Sequence, residues 1–326
     1  MISPFLITNS VFESSHLTKP ENGVLHDFLI RTWRDYGVFV LPNDETHSTL
    51  DLIKKLPVKY QQKWASAFEY YKKHRVHEIN SPEIESISTF ESACELADFI
   101  KVLLVNNEES PSIFENNTTY KYCSKNDFEA ILYTMASESK HFCNSEREAK
   151  SEIIKSEDIR SIWNRKFHSL AQYSTSIVII DRYFFSNTIS QNSKINSAIS
   201  NLLILLSRYN KKFKIRIVSC GKDDLTDRPL IIERMKKAFN GTSLAKNETS
   251  FTLIAKSEDF FQNDAHDRFI TFDSHVCQIG VGMMIFSNYP CPQTTFSMIH
   301  ESFSEFKQRN NLSSINQLWF EVLSSK

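Results

Sequence analysis

The chain has 326 residues, of which 41% are hydrophobic and 24% charged, with a net charge of −1 at neutral pH. That length fits two domains of ordinary size, and that composition can fill real cores. A near-zero net charge excludes the bulk basic field that would announce nucleic acid, though it leaves room for a local basic patch.

Phe5–Thr8 is a short apolar run and reads as a strand. The spacing predicts a helix over Val24–Tyr36, with Leu25, Phe28, Leu29, Thr32, Trp33 and Tyr36 on one stripe and Gly37 as its stop. Val38–Leu41 is a buried strand ended by Pro42. Helices are expected over Lys59–His74, Thr89–Val105, Asp127–Ala136 and Ser156–Tyr173, with a polar loop at Asn106–Thr119. The stretch Cys143–Glu157 is charge-rich and weakly hydrophobic. It is the expected boundary between a helix-rich α/β domain over 1–150 and a second domain over 151–326.

The second half gives a sharper pattern. Ile177–Ile180 is a β-branched strand running into Asp181-Arg182-Tyr183. A helix over Ile195–Tyr209 and a strand over Lys212–Ser219 follow. A helix over Leu230–Phe239 is next, with Asp227 as its cap and Gly241 as its end. Ser250–Ala255, Arg268–Phe272 and Val276–Gly280 are strands, and Phe303–Lys307 begins a closing helix. The order β-α-β-α-β-β-β permits right-handed crossovers in one sheet. Trp33, Trp64, Trp163 and Trp319 all sit in helix-like stripes and read as core.

Several chemistries have no signature. With six glycines there is no G-x-G-x-x-G and no phosphate-binding G-x-x-x-x-G-K. The six cysteines form no C-x-x-C pair, so no metal and no cofactor is expected, and the thiols read as reduced in a cytoplasmic protein. No basic-then-apolar leader and no 18-residue apolar stretch is seen. His74 and His77, three apart behind the basic run Lys72-Lys73, read as a solvated helix end rather than a metal site. Asn9-Ser10 stand where a PIN-type nuclease would place its first Asp.

The chemistry concentrates in His266-Asp267-Arg268-Phe269-Ile270-Thr271-Phe272-Asp273. Residues two apart on a strand share a face, so His266 and Arg268 point the same way. A neutral imidazole can attack phosphorus, and a guanidinium can grip two phosphoryl oxygens. A carboxylate at Asp273 could turn back to orient the ring. The competing reading is a surface turn whose Asp267 and Arg268 pair locally. For Asp181-Arg182-Tyr183 the competing reading is a polar strand end with Arg182 solvated.

This segment resembles the H-x-K-x-x-x-x-D motif of the phospholipase D superfamily, with Arg in place of Lys. It is most similar to the phospholipase-D-like C-terminal domain of MIT-domain proteins. The shared marks are a strand ending in Asp181-Arg182-Tyr183, then His266-Asp267-Arg268, then Gly280-Val281-Gly282. The likeness covers about residues 176–300. It implies an α/β fold with a phospholipase-D-like mixed sheet and flanking helices. It also implies a phosphate- or phosphoinositide-binding fold and, in that branch, membrane association. The chemistry of the residues themselves casts His266 as nucleophile, Arg268 as phosphate clamp and Asp273 as orienter, with Asp181, Arg182, Tyr183, Gly280 and Gly282 as auxiliary phosphate-binding residues. The function expected first is a metal-independent phosphodiesterase, a nuclease of the bacterial antiviral-defence kind acting on nucleic acid. The alternative is a non-catalytic module for phosphate, phosphoinositide or protein at a membrane surface. Catalysis in this superfamily uses two motif histidines. A homodimer would supply the second, or else His275 or His300.

Overall fold

The computed structural model describes residues 1–43, 46–106, 113–114, 122–190, 197–263, 265, 267–288 and 290–323. The fold is α/β, with two mixed sheets and flanking helices. The chain divides into two compact units, Met1–Arg147 and Glu148–Lys326. The division falls within the charge-rich stretch, but inside the helix Lys140–Lys150. That helix is amphipathic around a polar majority, which hid it from the sequence reading.

Unit 1 holds β1 (Ser3–Ile7), β2 (Gly37–Pro42), β3 (Lys73–Val76), β4 (Val102–Val105), β5 (Tyr122–Lys125) and β6 (Phe128–Leu132). Their order is β3-β2-β1-β4-β6-β5. Every pairing is parallel except β5 with β6. The central strands β1, β2 and β4 are covered on both faces, so their sequences are mostly apolar. Phe5, Phe39 and Leu104 pack with Trp33, Trp64 and Phe68 on one face. Leu6, Val40 and Leu103 pack with Phe90 and Ile100 on the other.

Three segments expected as helix are strands instead. The helix Val58–Tyr70 stops before β3, and β4 and β6 replace the ends of two others. Segments of four or five residues are too short for period to decide, and pairing with a neighbouring strand does. Glu129 in β6 is fully buried because it serves the next helix. Its carboxylate accepts the N–H groups of Lys140 at 3.1 Å and His141 at 3.3 Å, at a helix N-terminus. The basic run is likewise not a helix end. His74 and Arg75 are exposed on β3, an edge of the sheet, where charge discourages further strand pairing. His77 bonds Asn43 at 2.7 Å.

Unit 2 holds β7 (Ser176–Ile180), β8 (Lys214–Cys220), β9 (Ser250–Lys256), β10 (Phe269–Phe272), β11 (His275–Ile279), β12 (Phe296–His300) and β13 (Trp319–Leu323). The order is β12-β11-β10-β7-β8-β9-β13. β7, β8 and β9 are parallel, and the other pairs antiparallel. One face packs Ile180, Val218 and Ile254 against Phe260, Phe261 and Phe306. On the other side, Phe272 and Phe296 meet Phe167, and Phe251 meets Phe239. Trp319 is therefore core, but on β13 rather than on a helix, stacked on Phe185 with centroids 5.2 Å apart. Asp227 precedes the helix Arg228–Asn240 without a capping side-chain bond, and Gly241 ends it. No described helix is long and apolar enough to cross a membrane.

A buried histidine joins the helices Gly23–Tyr36 and Val58–Tyr70. His26 Nε2 lies 3.0 Å from the Leu17 carbonyl, and Nδ1 accepts the Trp64 indole N–H at 2.9 Å. The ring stacks on Tyr60 at 3.9 Å. These partners select the neutral ring with Nε2 protonated, and burial lowers its pKa. Below about 6.5, the ordinary histidine value, the unfolded chain takes a proton that the folded one refuses. Stability is then full above that value and falls below it, by up to about 1.4 kcal/mol per pH unit. Denaturant titrations between pH 8 and pH 5 should show this fall in the wild type, relative to a His26→Gln variant that cannot take the charge.

Candidate functional site

The site lies past the C-terminal ends of the three parallel strands of unit 2, where α/β sheets commonly place ligands. β7 runs straight into Asp181, whose backbone N–H bonds Val218 O at 3.0 Å. The Asp181 side chain is 3% exposed. Its two oxygens accept the backbone N–H of Tyr183 at 3.0 Å and of Met283 at 2.8 Å. Arg268 Nε stands 3.9 Å away. Burial raises the Asp181 pKa, while the two N–H bonds and Arg268 act to lower it.

The Gly280-Val281-Gly282 turn is shaped by this carboxylate. Gly282 has φ +59°, and a Cβ there would sit 2.2 Å from Asp181 Oδ2 and 2.6 Å from Arg268 Cδ. A side chain at Gly280 would meet the hydroxyls of Thr294 at 2.7 Å and Thr295 at 2.9 Å. The Gly280 carbonyl accepts a hydrogen bond from Arg268 Nη1. Gly282 therefore lets the backbone close onto Asp181 and Arg268, and Gly280 lets it pass the hydroxyls of Thr294 and Thr295.

Two guanidinium groups flank one ring. Arg268 Cζ is 5.1 Å and Arg182 Cζ 5.3 Å from the Tyr183 centroid, within cation–π range. Arg182 is gripped by Glu258 through Nη2 to Oε1 and Nε to Oε2, the latter at 3.3 Å. The Cys220 thiol, whose pKa burial raises, donates to Glu258 Oε2 at 3.1 Å. Asp267 pairs with Arg309 at 3.0 Å rather than with Arg268. Between these groups lies a cleft of about 270 Å³ lined by Arg182, Tyr183, Asp267, Arg268, Gln278, Gly280 and Thr295. Among the described residues no group of three or more His, Cys, Asp or Glu could hold a metal.

Asp181, Arg182, Tyr183, Arg268, Gly280 and Gly282 thus come together at one end of the sheet. His266 falls outside the described residues. Asp273 is set apart. It follows β10 whereas Arg268 precedes it. Five steps along the chain at about 3.4 Å each put about 17 Å between them. Asp273 has φ 50° in the β10–β11 turn, and its Oδ1 accepts the N–H of Ser176 at 2.8 Å and of Thr175 at 3.2 Å. It ties the turn to the start of β7 and is not placed to orient a ring beside Arg268. His275 and His300 share that far end. They are cross-strand partners with rings 6.2 Å apart, and His275 pairs with Phe272.

Glu258, Gln278, Thr295 and Arg309 were missed. Each comes from a different element, and none sits in a motif. In unit 1, the ends of β1 and β4 carry Thr8, Asn9, Ser10 and Asn106, whose amide donates to Ser10 O at 3.1 Å. No carboxylate stands at the position of a PIN-type first Asp.

No protein-family model and no curated protein matches the chain. Among solved structures, it aligns with TrmBL2, described as an archaeal chromatin protein with a novel mode of DNA binding. The identity is 14% and the TM-score 0.27, over 51% of this chain and 54% of that one. The alignment spans about half the length of each chain, and a likeness of that degree carries no argument about function.

Two variants separate the site from the scaffold. Asp273→Ala should lower stability by about 0.5–1.5 kcal/mol, because two partly solvated N–H groups lose their acceptor. Gly282→Ala should cost about 1–3 kcal/mol through strain at positive φ, and should also displace Arg268. Thermal melts measure both losses. Backbone and Arg side-chain NMR shifts at Arg268 should move with Gly282→Ala and stay still with Asp273→Ala.

Proposed function

We propose that unit 2 binds a phosphoryl group in the cleft between Arg182 and Arg268, over the face of Tyr183. The observation that carries this reading is the preset position of Arg268. Its guanidinium is held at the cleft by the Gly280 carbonyl, the Tyr183 ring and the buried Asp181 carboxylate. A planar cation fixed before the ligand arrives loses little freedom on binding and suits the forked geometry of phosphoryl oxygens. The cleft of about 270 Å³ takes a phosphoryl group with a small substituent. The motif likeness around Asp181, Arg268 and Gly280-Val281-Gly282 supports the same ligand class.

The geometry favours binding over hydrolysis. Phosphodiester cleavage by the superfamily's route needs a second imidazole near His266. His275 and His300 lie at the other end of the strands, together with Asp273. His275 and His300 therefore offer no second imidazole at the Arg268 end of β10.

Calorimetric titration of the full chain with methyl phosphate and dimethyl phosphate tests the proposal. Arg268→Ala should weaken binding about 10- to 100-fold, the loss of a hydrogen bond to a charged group. Unchanged affinity in a folded Arg268→Ala variant sinks the reading. A parallel cleavage assay with bis(p-nitrophenyl) phosphate in chelator should show no turnover. Turnover that disappears in His266→Ala would restore the enzyme reading.

A further inference from the structure

Both guanidinium groups of the cleft already face a carboxylate. Arg268 faces Asp181, Arg182 is forked onto Glu258, and Asp267 is paired with Arg309. An anion that grips the Arg182 fork must take the place of its carboxylate. The two carboxylates on the cleft's cations are not equivalent. Asp181 is 3% exposed and held by two backbone N–H groups, so it cannot leave without breaking the turn at Gly282. Glu258 is 45% exposed and starts the short helix Glu258–Asn263, with water on one side. It reaches Arg182 with a flexible side chain, steadied by the Cys220 thiol and by Gln262 Nε2 at 3.4 Å.

We infer that Glu258 is a resident competitor for the phosphoryl group, a carboxylate that occupies the Arg182 fork until the ligand displaces it. This rests on the phosphoryl-binding reading of the cleft. Carboxylate and phosphoryl oxygens offer the same two-point geometry to a guanidinium, so one can replace the other on Arg182 without moving the backbone. Exposure sets the size of the effect. Ion pairs with this much solvent contribute little, so the latch is weak enough for a ligand to open. Removing it should raise affinity by up to about fivefold, the equivalent of about 1 kcal/mol. Glu258 therefore sets how much anion is needed to fill the site, and Arg182 is its target.

The test is a titration of the full-length wild type, Glu258→Gln and Glu258→Ala with dimethyl phosphate and with methyl phosphate. Both variants should bind the probes up to about fivefold more tightly than wild type, with matching melting curves. In an Arg182→Ala background, Glu258→Gln should give no gain, because the fork it releases is gone. Equal or weaker binding by both Glu258 variants overturns the latch while leaving the cleft reading intact. A gain that persists without Arg182 also overturns it, since it would report only the loss of one negative charge. If folded wild type and folded Glu258→Gln both fail to bind either probe, the cleft reading falls and the latch falls with it.

Discussion

One buried carboxylate organises the C-terminal unit's site. Asp181 ends β7, yet its oxygens are spent on the Tyr183 and Met283 N–H groups and on Arg268. It thereby fastens the strand end, the Gly280-Val281-Gly282 turn and the cation before β10 into one cluster. A buried carboxylate without such partners would be expensive, and each partner here answers that cost. Two further features follow from it. Gly282 is required because the turn must pass where a side chain would strike the carboxylate. Arg268 is fixed because its carboxylate cannot move.

β7 to β11 were legible in the sequence as continuous β-branched or alternating runs separated by turn residues, whereas Phe296–His300 was not expected as a strand and Trp319 on β13 was placed in a helix-like stripe. The cluster was legible as well, because Asp181, Arg268 and Gly282 stand beside strand ends. The sequence reading erred where a motif's spacing was taken as proximity. Asp273 is the eighth residue of the string, but four strand residues carry it to the other end of the sheet. Glu258 and Arg309 could not be found from sequence, because their pairing with Arg182 and Asp267 is purely tertiary.

The N-terminal unit shows the opposite balance. Its aromatic helices Gly23–Tyr36 and Val58–Tyr70 were clear from period, whereas β3, β4 and β6 were read as helix. Val102–Val105 is four apolar residues with no alternation, and only the neighbouring strands β1 and β6 make it a strand. Glu129 explains a second miss. A charged residue within a strand argues against burial, until its carboxylate is seen to cap the N-terminus of the helix Lys140–Lys150.

A crystal structure of the full chain soaked with methyl phosphate tests the central claim most directly. The account predicts phosphoryl oxygens on the guanidinium groups of Arg268 and Arg182, over Tyr183, with Asp181 unmoved. An empty cleft, with the anion ordered elsewhere on unit 2, would contradict it.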